Sequence, residues 1–373
     1  MIIEKRILKE QSPETYRMVV ISDIHAHMDL FEKILNKSHL KAEDYLVVLG
    51  DFVEKGNDGL ELIHKIAELK KRKNTYILMG NCEATLLEFL CNEDCDSKLV
   101  NYLNNTPFDS LLKEAVKILG IDLKQESSKS IQEKLRTHLN KEISILKSLD
   151  TAVEFDQFIF VHAGIENRND WENSSIESML ENQNFFFKGH PLKEHYVVCG
   201  HMPVSFYNDH KLDNSLIISH QKRIISIDGG VGVKSFGQLN SLIIEKTDEG
   251  YIYSSRSVDP FEKCEVLFPT NGKETDAVKV DWPDFEVDVL GIGTSFSWCR
   301  KTITKELIYI KNEFLYENNG HYYCKDGYIS SMLKLLPNDE VSLIATYGKY
   351  AYIIKDGHVG WTKKDRIKPI KKD

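Results

Sequence analysis

The sequence predicts an α/β fold on three observations. Short, continuously apolar, β-branched segments recur through residues 17–260. Stretches with helical spacing separate several of them, and polar residues able to bind a metal follow five of them closely. The segments are MVVIS (18–22), YLVVL (45–49), TYILM (75–79), QFIFV (157–161), YVVC (196–199), RIISI (223–227) and SLIIE (241–245). Such short runs, apolar throughout, suit strands buried on both faces. Leu30, Phe31, Ile34 and Leu35 line one intervening helical face, and Leu60, Ile63, Ile66 and Ala67 line another. Strands alternating with helices make a layered α/β architecture.

The chain has 373 residues, 42% hydrophobic and 28% charged, enough for two or three domains with their own cores and unlike a disordered or fibrous chain. Residues 261–373 carry 17 Lys+Arg and 17 Asp+Glu, so the whole net charge of −9 lies in residues 1–260. That break predicts a first module over 1–260, a linker over 261–283 around Pro269 to Gly272, and a small β-rich module over 284–373. Within the first module, 84–150 shows apolar residues at helical spacing without a strong strand, which predicts a helical insertion with a loop at Gln125 to Ser130.

The acidic balance argues against nucleic-acid and anionic-membrane partners, and the one basic run, LKKRKN (69–74), reads as a solvated helix end. Seven cysteines without a CxxC pair, Cys91 and Cys95 being parted by Asn-Glu-Asp, read as reduced thiols. Charges at Glu4, Lys5 and Arg6 leave no room for a signal peptide, and no 18-residue apolar run occurs. The expected location is the cytoplasm.

The chemistry sits at the strand ends. MVVIS leads to Asp23 and His25, YLVVL to Gly50 and Asp51, TYILM to Gly80 and Asn81, QFIFV to His162, and YVVC to Gly200 and His201. Taken singly, each has a plainer reading: a hydrogen-bonded structural histidine, or a turn and helix cap. Taken together, they fall at the carboxyl ends of strands, where open α/β sheets hold their ligands. Mixed imidazole and carboxylate donors suit Mn, Fe, Zn or Ni rather than Ca or an iron–sulfur cluster.

SDIHAHMDLFEKIL (22–35), DYLVVLGDFVEKG (44–56), MGNCE (79–83), FVHAGI (160–165), VVCGHMPV (197–204) and IISIDGG (224–230) with GQLNSLIIE (237–245) resemble, in order, the blocks of the calcineurin-like metallophosphoesterases. The resemblance implies a four-layer α/β/β/α sandwich with two divalent metal ions, manganese first and iron, zinc or nickel as alternatives. It implies that Asp23, His25 and Asp51 hold one ion, and that Asp51 (bridging), Asn81, His162 and His201 hold the other. Pro203 stands two residues after His201, where phosphodiesterases of the superfamily carry a further histidine. That places the resemblance in the phosphoprotein phosphatase branch, with its bacterial Ser/Thr phosphatases and diadenosine tetraphosphate hydrolases.

Three departures from that pattern occur together. The family's catalytic histidine is Cys82 here, its carboxylate partner is Glu54, and the phosphate-binding arginine is Lys55. A further family arginine corresponds to Lys188 in FFFK (185–188), a second substrate-binding candidate, and His27 is a candidate substitute proton donor. A thiol is a weak acid catalyst, nearby dications push it towards thiolate, and lysine lacks the arginine fork. The expected function is hydrolysis of phosphate esters or anhydrides with good leaving groups, on a phosphorylated small molecule, nucleotide or phosphoprotein. The alternative is a metal-binding regulatory protein without turnover. GHVGWTKKDRI (357–367) resembles a bacterial Src-homology-type barrel, which implies a peptide or cell-wall ligand, with Trp361 reading equally well as core.

Overall fold

The computed structural model describes residues 3–272 and 277–370. The chain divides into two units: Met1–Met202, Leu216–Gly232 and Leu239–Val258 form the first, and Pro203–Ser215, Val233–Gln238 and Asp259–Asp373 form the second.

The first unit is built on two mixed sheets. In one, the strands Tyr16–Ile21, Tyr45–Val48 and Thr75–Ile77 run parallel. Leu239–Thr247 and Gly250–Val258 extend that sheet as an antiparallel pair. In the other, Phe158–Val161, Tyr196–Cys199 and Ile224–Ser226 are parallel neighbours, with Ala152–Phe155, Ile7–Glu10 and Ile217–Ser219 outside them. Alternate side chains leave a strand on opposite faces. Met18, Val20, Val47 and Leu49 therefore meet Val153, Phe155, Phe158, Phe160, Val198 and Ile225 in one buried layer. Val19, Ile21, Leu46 and Val48 face the other way and pack on the helices through Leu30, Phe31, Ile34, Leu62, Ile63 and Ile66. Ile159, Val197 and Ile224 are also fully buried, so the far face of the second sheet is covered too. This is the four-layer α/β/β/α arrangement.

All seven expected strands are present. Ile7–Glu10 and Gly250–Val258 were not expected, because both are polar edge strands in which few side chains are buried. The insertion consists of helices Asn81–Cys91, Asp96–Asn105, Leu111–Leu119, Ser128–His138 and Asn140–Lys147. The polar stretch expected to be a loop through Ser130 is one only as far as Ser127. The Ser127 hydroxyl accepts the Ser130 amide and so caps a helix that begins at Ser128.

The second unit carries two five-stranded antiparallel sheets. One contains Glu262–Val266, Glu340–Tyr347, Tyr350–Lys355, His358–Lys363 and Ile367–Pro369. The other contains Glu286–Ile292, Phe296–Lys301, Leu307–Lys311, Leu315–Asn318 and His321–Cys324. The linker expected over 261–283 differs in the structure: Glu262–Val266 pairs with Glu340–Tyr347 and with Ile367–Pro369. Its alternating pattern, with Cys264 and Val266 inward among charged residues, is that of a half-buried strand rather than an apolar run. Residues 273–276 of that stretch, and 371–373 of the basic tail, lie outside the described residues. Trp361 is core: its indole N–H donates to the Ile329 carbonyl at 2.8 Å, and its ring lies 4.6 Å from that of Tyr352. Among the described residues, no helix is long and apolar enough to cross a membrane.

Candidate metal centre

Parallel strands of both sheets end together, and their following loops supply the site. Asp23, His25, Ala26, Asp51, Lys55 and His201 all adopt a left-handed backbone, with φ between 50° and 67°. That conformation is uncommon outside glycine and persists where the surroundings fix it. Here the Asp23 amide donates to Gly50 O, His25 to Asp51 O and Ala26 to Phe52 O, which ties the first loop to the second. Glycine is required where the loops meet. A Cβ on Gly80 would lie 2.2 Å from Asp51 Oδ1, and one on Gly200 would lie 2.0 Å from Ser22 Oγ.

Asp51 lies at the centre. Its Oδ1 accepts the Cys82 amide at 2.9 Å from the first turn of helix Asn81–Cys91, and its Oδ2 accepts the Cys82 thiol at 3.1 Å. His162 Nδ1 donates to Leu49 O at 2.9 Å, which leaves Nε2 as the lone-pair nitrogen, 3.5 Å from Asp51 Oδ1. Asn81 Oδ1 lies 3.0 Å from that Nε2 and 2.9 Å from His201 Nδ1. Asp23 Oδ2 accepts the His201 amide at 3.0 Å, and His25 Nε2 lies 4.0 Å from Asp23 Oδ1.

These side chains fit divalent ions on two counts. Asp23 Oδ1, His25 Nδ1 and His201 Nε2 are buried without a hydrogen-bond partner, although buried polar atoms are normally paired. Two groups of ligand atoms, those of His25, Asp51 and Cys82 and those of Asp51, His162 and His201, each lie within 4.8 Å of one another and share Asp51.

The electrostatics agree. Burial, reinforced by the Asp51 charge, pushes Asp23 up to about 7. Burial opposes ionisation of Asp51 too, but His162, His25 and Lys55 hold it below the usual carboxylate range. Burial and His162 push His201 down to about 3, which keeps a lone pair available. Burial pushes Asp228 well up, with Asp23 adding to it. This excess of buried carboxylates is what a cation would neutralise.

Two residues that sequence reasoning passed over complete the site. The Glu83 carboxylate accepts the amides of Asp51, Phe52 and Gly80, each at 2.8 Å, and so fixes the second and third loops to each other. The signal was present: a glutamate at the third position of a helix reaches back to cap it. Asp228 follows the strand Ile224–Ser226, and the strand-end rule applied to a sixth strand would have found it. Its Oδ1 accepts the Gly230 amide at 2.7 Å and its Oδ2 has no partner.

Residues 16–223 match the family described as calcineurin-like phosphoesterase. The chain belongs to that family. Over 85 residues it is 35% identical to the symmetrical bis(5'-nucleosyl)-tetraphosphatase of Buchnera aphidicola subsp. Acyrthosiphon pisum (strain Tuc7), a match covering 22% of this chain and only 30% of that protein. Among solved structures, a protein serine/threonine phosphatase from Saccharomyces cerevisiae is 10% identical with a TM-score of 0.42, over 68% of this chain and 84% of that one. A metallophosphoesterase from Sphaerobacter thermophilus is 16% identical with a TM-score of 0.35, over 65% and 88%.

As a calcineurin-like phosphoesterase, the chain places its departing residues as follows. Cys82 is buried against Asp51, and burial, followed by the Asp51 charge, pushes its thiol well up. Lys55 Nζ lies 3.4 Å from His25 Nε2, its ammonium strengthened, against burial, by Cys82, Asp51 and Asp23. Glu54 is buried and accepts the Tyr102 hydroxyl from the insertion; burial pushes it up to about 8 against that hydrogen bond. His27 Nδ1 donates to His25 O at 2.6 Å, at the start of helix Met28–Lys37. Lys188 is exposed and lines a different cavity, with Glu166, Glu177 and Glu181.

Proposed function

We propose that the protein hydrolyses phosphate esters or anhydrides at this centre. The observation that carries the reading is the pair of ligand groups sharing Asp51, with unpartnered donor atoms on Asp23, His25 and His201. In this reading Asp23, His25 and Asp51 hold one cation, and Asp51, Asn81, His162 and His201 hold the other, with manganese the first candidate. When bound there, two such cations would supply a water of lowered pKa and would neutralise charge on the phosphoryl oxygens. The chain does the rest. Glu83 keeps the Asp51 and Asn81 loops in register, and Lys55 binds a phosphoryl oxygen as a point charge. Cys82 donates its thiol proton to Asp51, so it hydrogen-bonds a ligand rather than acting as a general acid on the leaving group. Water oxygen bonds to phosphorus as the bond to the leaving oxygen breaks, that oxygen keeps the electron pair, and the water proton goes to solvent. The nucleotide named for the Buchnera relative and the phosphoserine named by the phosphatase resemblance are both candidate substrates.

The test is a manganese-loaded assay of an aryl monoester, an aryl diester, a phosphoserine peptide and diadenosine tetraphosphate, with Asp51→Asn alongside. Hydrolysis of any of them that is lost in Asp51→Asn supports the reading. Cys82 in place of a proton donor favours one second reading, a metal-binding protein without turnover. Failure on all four substrates with two ions bound would select it.

A further inference from the structure

Next to Cys82 the insertion borders a partly open cavity of about 170 Å³. Leu86 and Phe89 come to it from helix Asn81–Cys91, Tyr102 from Asp96–Asn105, and Leu112 from Leu111–Leu119, with Phe108 between the last two. The rings are angled to each other: Phe89 and Tyr102 lie 5.2 Å apart at 46°, and Tyr102 and Phe108 lie 6.4 Å apart at 67°. The other wall is polar and belongs to the metal centre: Lys55, Asn81 and Cys82, with Glu54 beside them. An apolar cavity of about 150 Å³ holds one benzene ring. This one therefore has room for a single six-membered ring.

We propose that this cavity receives the leaving group, and that the substrate class is a phosphate ester of a single-ring aryl alcohol. The proposal rests on the hydrolase reading above and narrows it. A phenol, ionising near 10 as tyrosine does, departs as the oxide without a proton from the enzyme. An alkyl alcohol does not. The ring-sized cavity and the thiol at position 82 thus point to the same leaving group. In the reaction, water oxygen bonds to phosphorus, the phosphorus–aryl oxygen bond breaks with its electron pair on the aryl oxygen, and the water proton goes to solvent.

Phosphonates are not hydrolysed, so their binding tests the cavity separately from turnover. Calorimetric titration of the manganese-loaded full chain with phenylphosphonate, methylphosphonate and 1-naphthylphosphonate is the experiment. Phenylphosphonate is expected to bind about tenfold tighter than methylphosphonate, and the naphthyl compound no tighter than the phenyl one. Phe108→Ala, which removes one ring, and Thr85→Trp, which fills the cavity from an exposed position on its wall, should both narrow the phenyl-to-methyl ratio towards one. Melting curves identify any variant that fails to fold, and the other variant then decides. A wild-type ratio of one, a ratio unmoved by the folded variants, or a naphthyl preference would overturn the proposal while leaving the hydrolase reading intact. Binding of neither phosphonate overturns both. A phenyl preference without turnover on any phosphate ester would keep the cavity and remove the enzyme.

Discussion

The left-handed backbone conformation serves turns in both units, as at Asp156 in a hairpin of the first, but in the first it also builds the site. Among the described residues of the second unit its non-glycine occurrences are Lys305, Asn319, Asn338 and Asp356, all exposed. Asn319 and Asp356 precede glycines in two-residue hairpins, where such turns match the strand twist. In the first unit Asp23, His25 and Asp51 adopt the same conformation, buried, directly after apolar strands. Buried aspartate oxygens without a hydrogen bond occur in both units, but their surroundings differ. In the second unit Lys234 is paired with Asp281 at 2.6 Å and Asp326 at 3.1 Å, and the unbonded Oδ2 atoms of Asp281 and Asp284 each lie 3.7 Å from a lysine ammonium. In the first, Asp23 Oδ1 and Asp228 Oδ2 are buried without a hydrogen-bond donor. Strain at an exposed Asn-Gly is turn chemistry. Strain at a buried, unpartnered aspartate marks a site that expects a ligand.

The strongest way to break this contrast is at Asp51. Asp51→Asn should lower kcat/KM by about 10³-fold or more, because one carboxylate belongs to both ligand groups. Phosphatase kinetics with metal analysis would check it, and an unchanged rate would make the shared aspartate an ordinary structural residue. The matching change in the second unit is Trp361→Ala. It should cost that unit about 3–5 kcal/mol of stability in chemical denaturation, since it empties a buried ring site. Manganese binding by the first unit should survive it.

A smaller effect sharpens the reading of position 82. Cys82→His should raise turnover of alkyl phosphomonoesters by about 10²-fold and that of aryl esters less, as a restored proton donor would. Equal gains on both would place the defect elsewhere. The smallest effect is on pH. Glu54 has a folded pKa raised to about 8, so its contribution to stability is full below the unfolded value and is lost as pH rises through about 8. In chelator-treated protein the melting temperature should fall as pH rises from about 5 to about 8, and Glu54→Gln should flatten that slope.

Much of this was legible in the sequence. Strands buried on both faces announce themselves as unbroken apolar runs, so the sheets of the first unit could be read from 18–22 through 241–245. The ligand-type residues were legible because Asp, Asn and His directly after such runs are expensive to bury. Glu83 and Asp228 were legible too, as a helix-capping glutamate and a sixth strand-end carboxylate, but which backbone amides they hold shows only in the folded loops. The strand Glu262–Val266 was missed because its charged outward residues hide Cys264 and Val266. The pairing of Glu54 with Tyr102 joins residues 48 apart across the insertion, and no local pattern encodes it.

The most direct test is hydrolysis of a series of aryl phosphates of graded leaving-group pKa by manganese-loaded protein, beside Asp51→Asn. The account predicts turnover that rises as the leaving-group pKa falls and that vanishes in Asp51→Asn. Two bound ions with no turnover, or turnover that Asp51→Asn leaves intact, would contradict it.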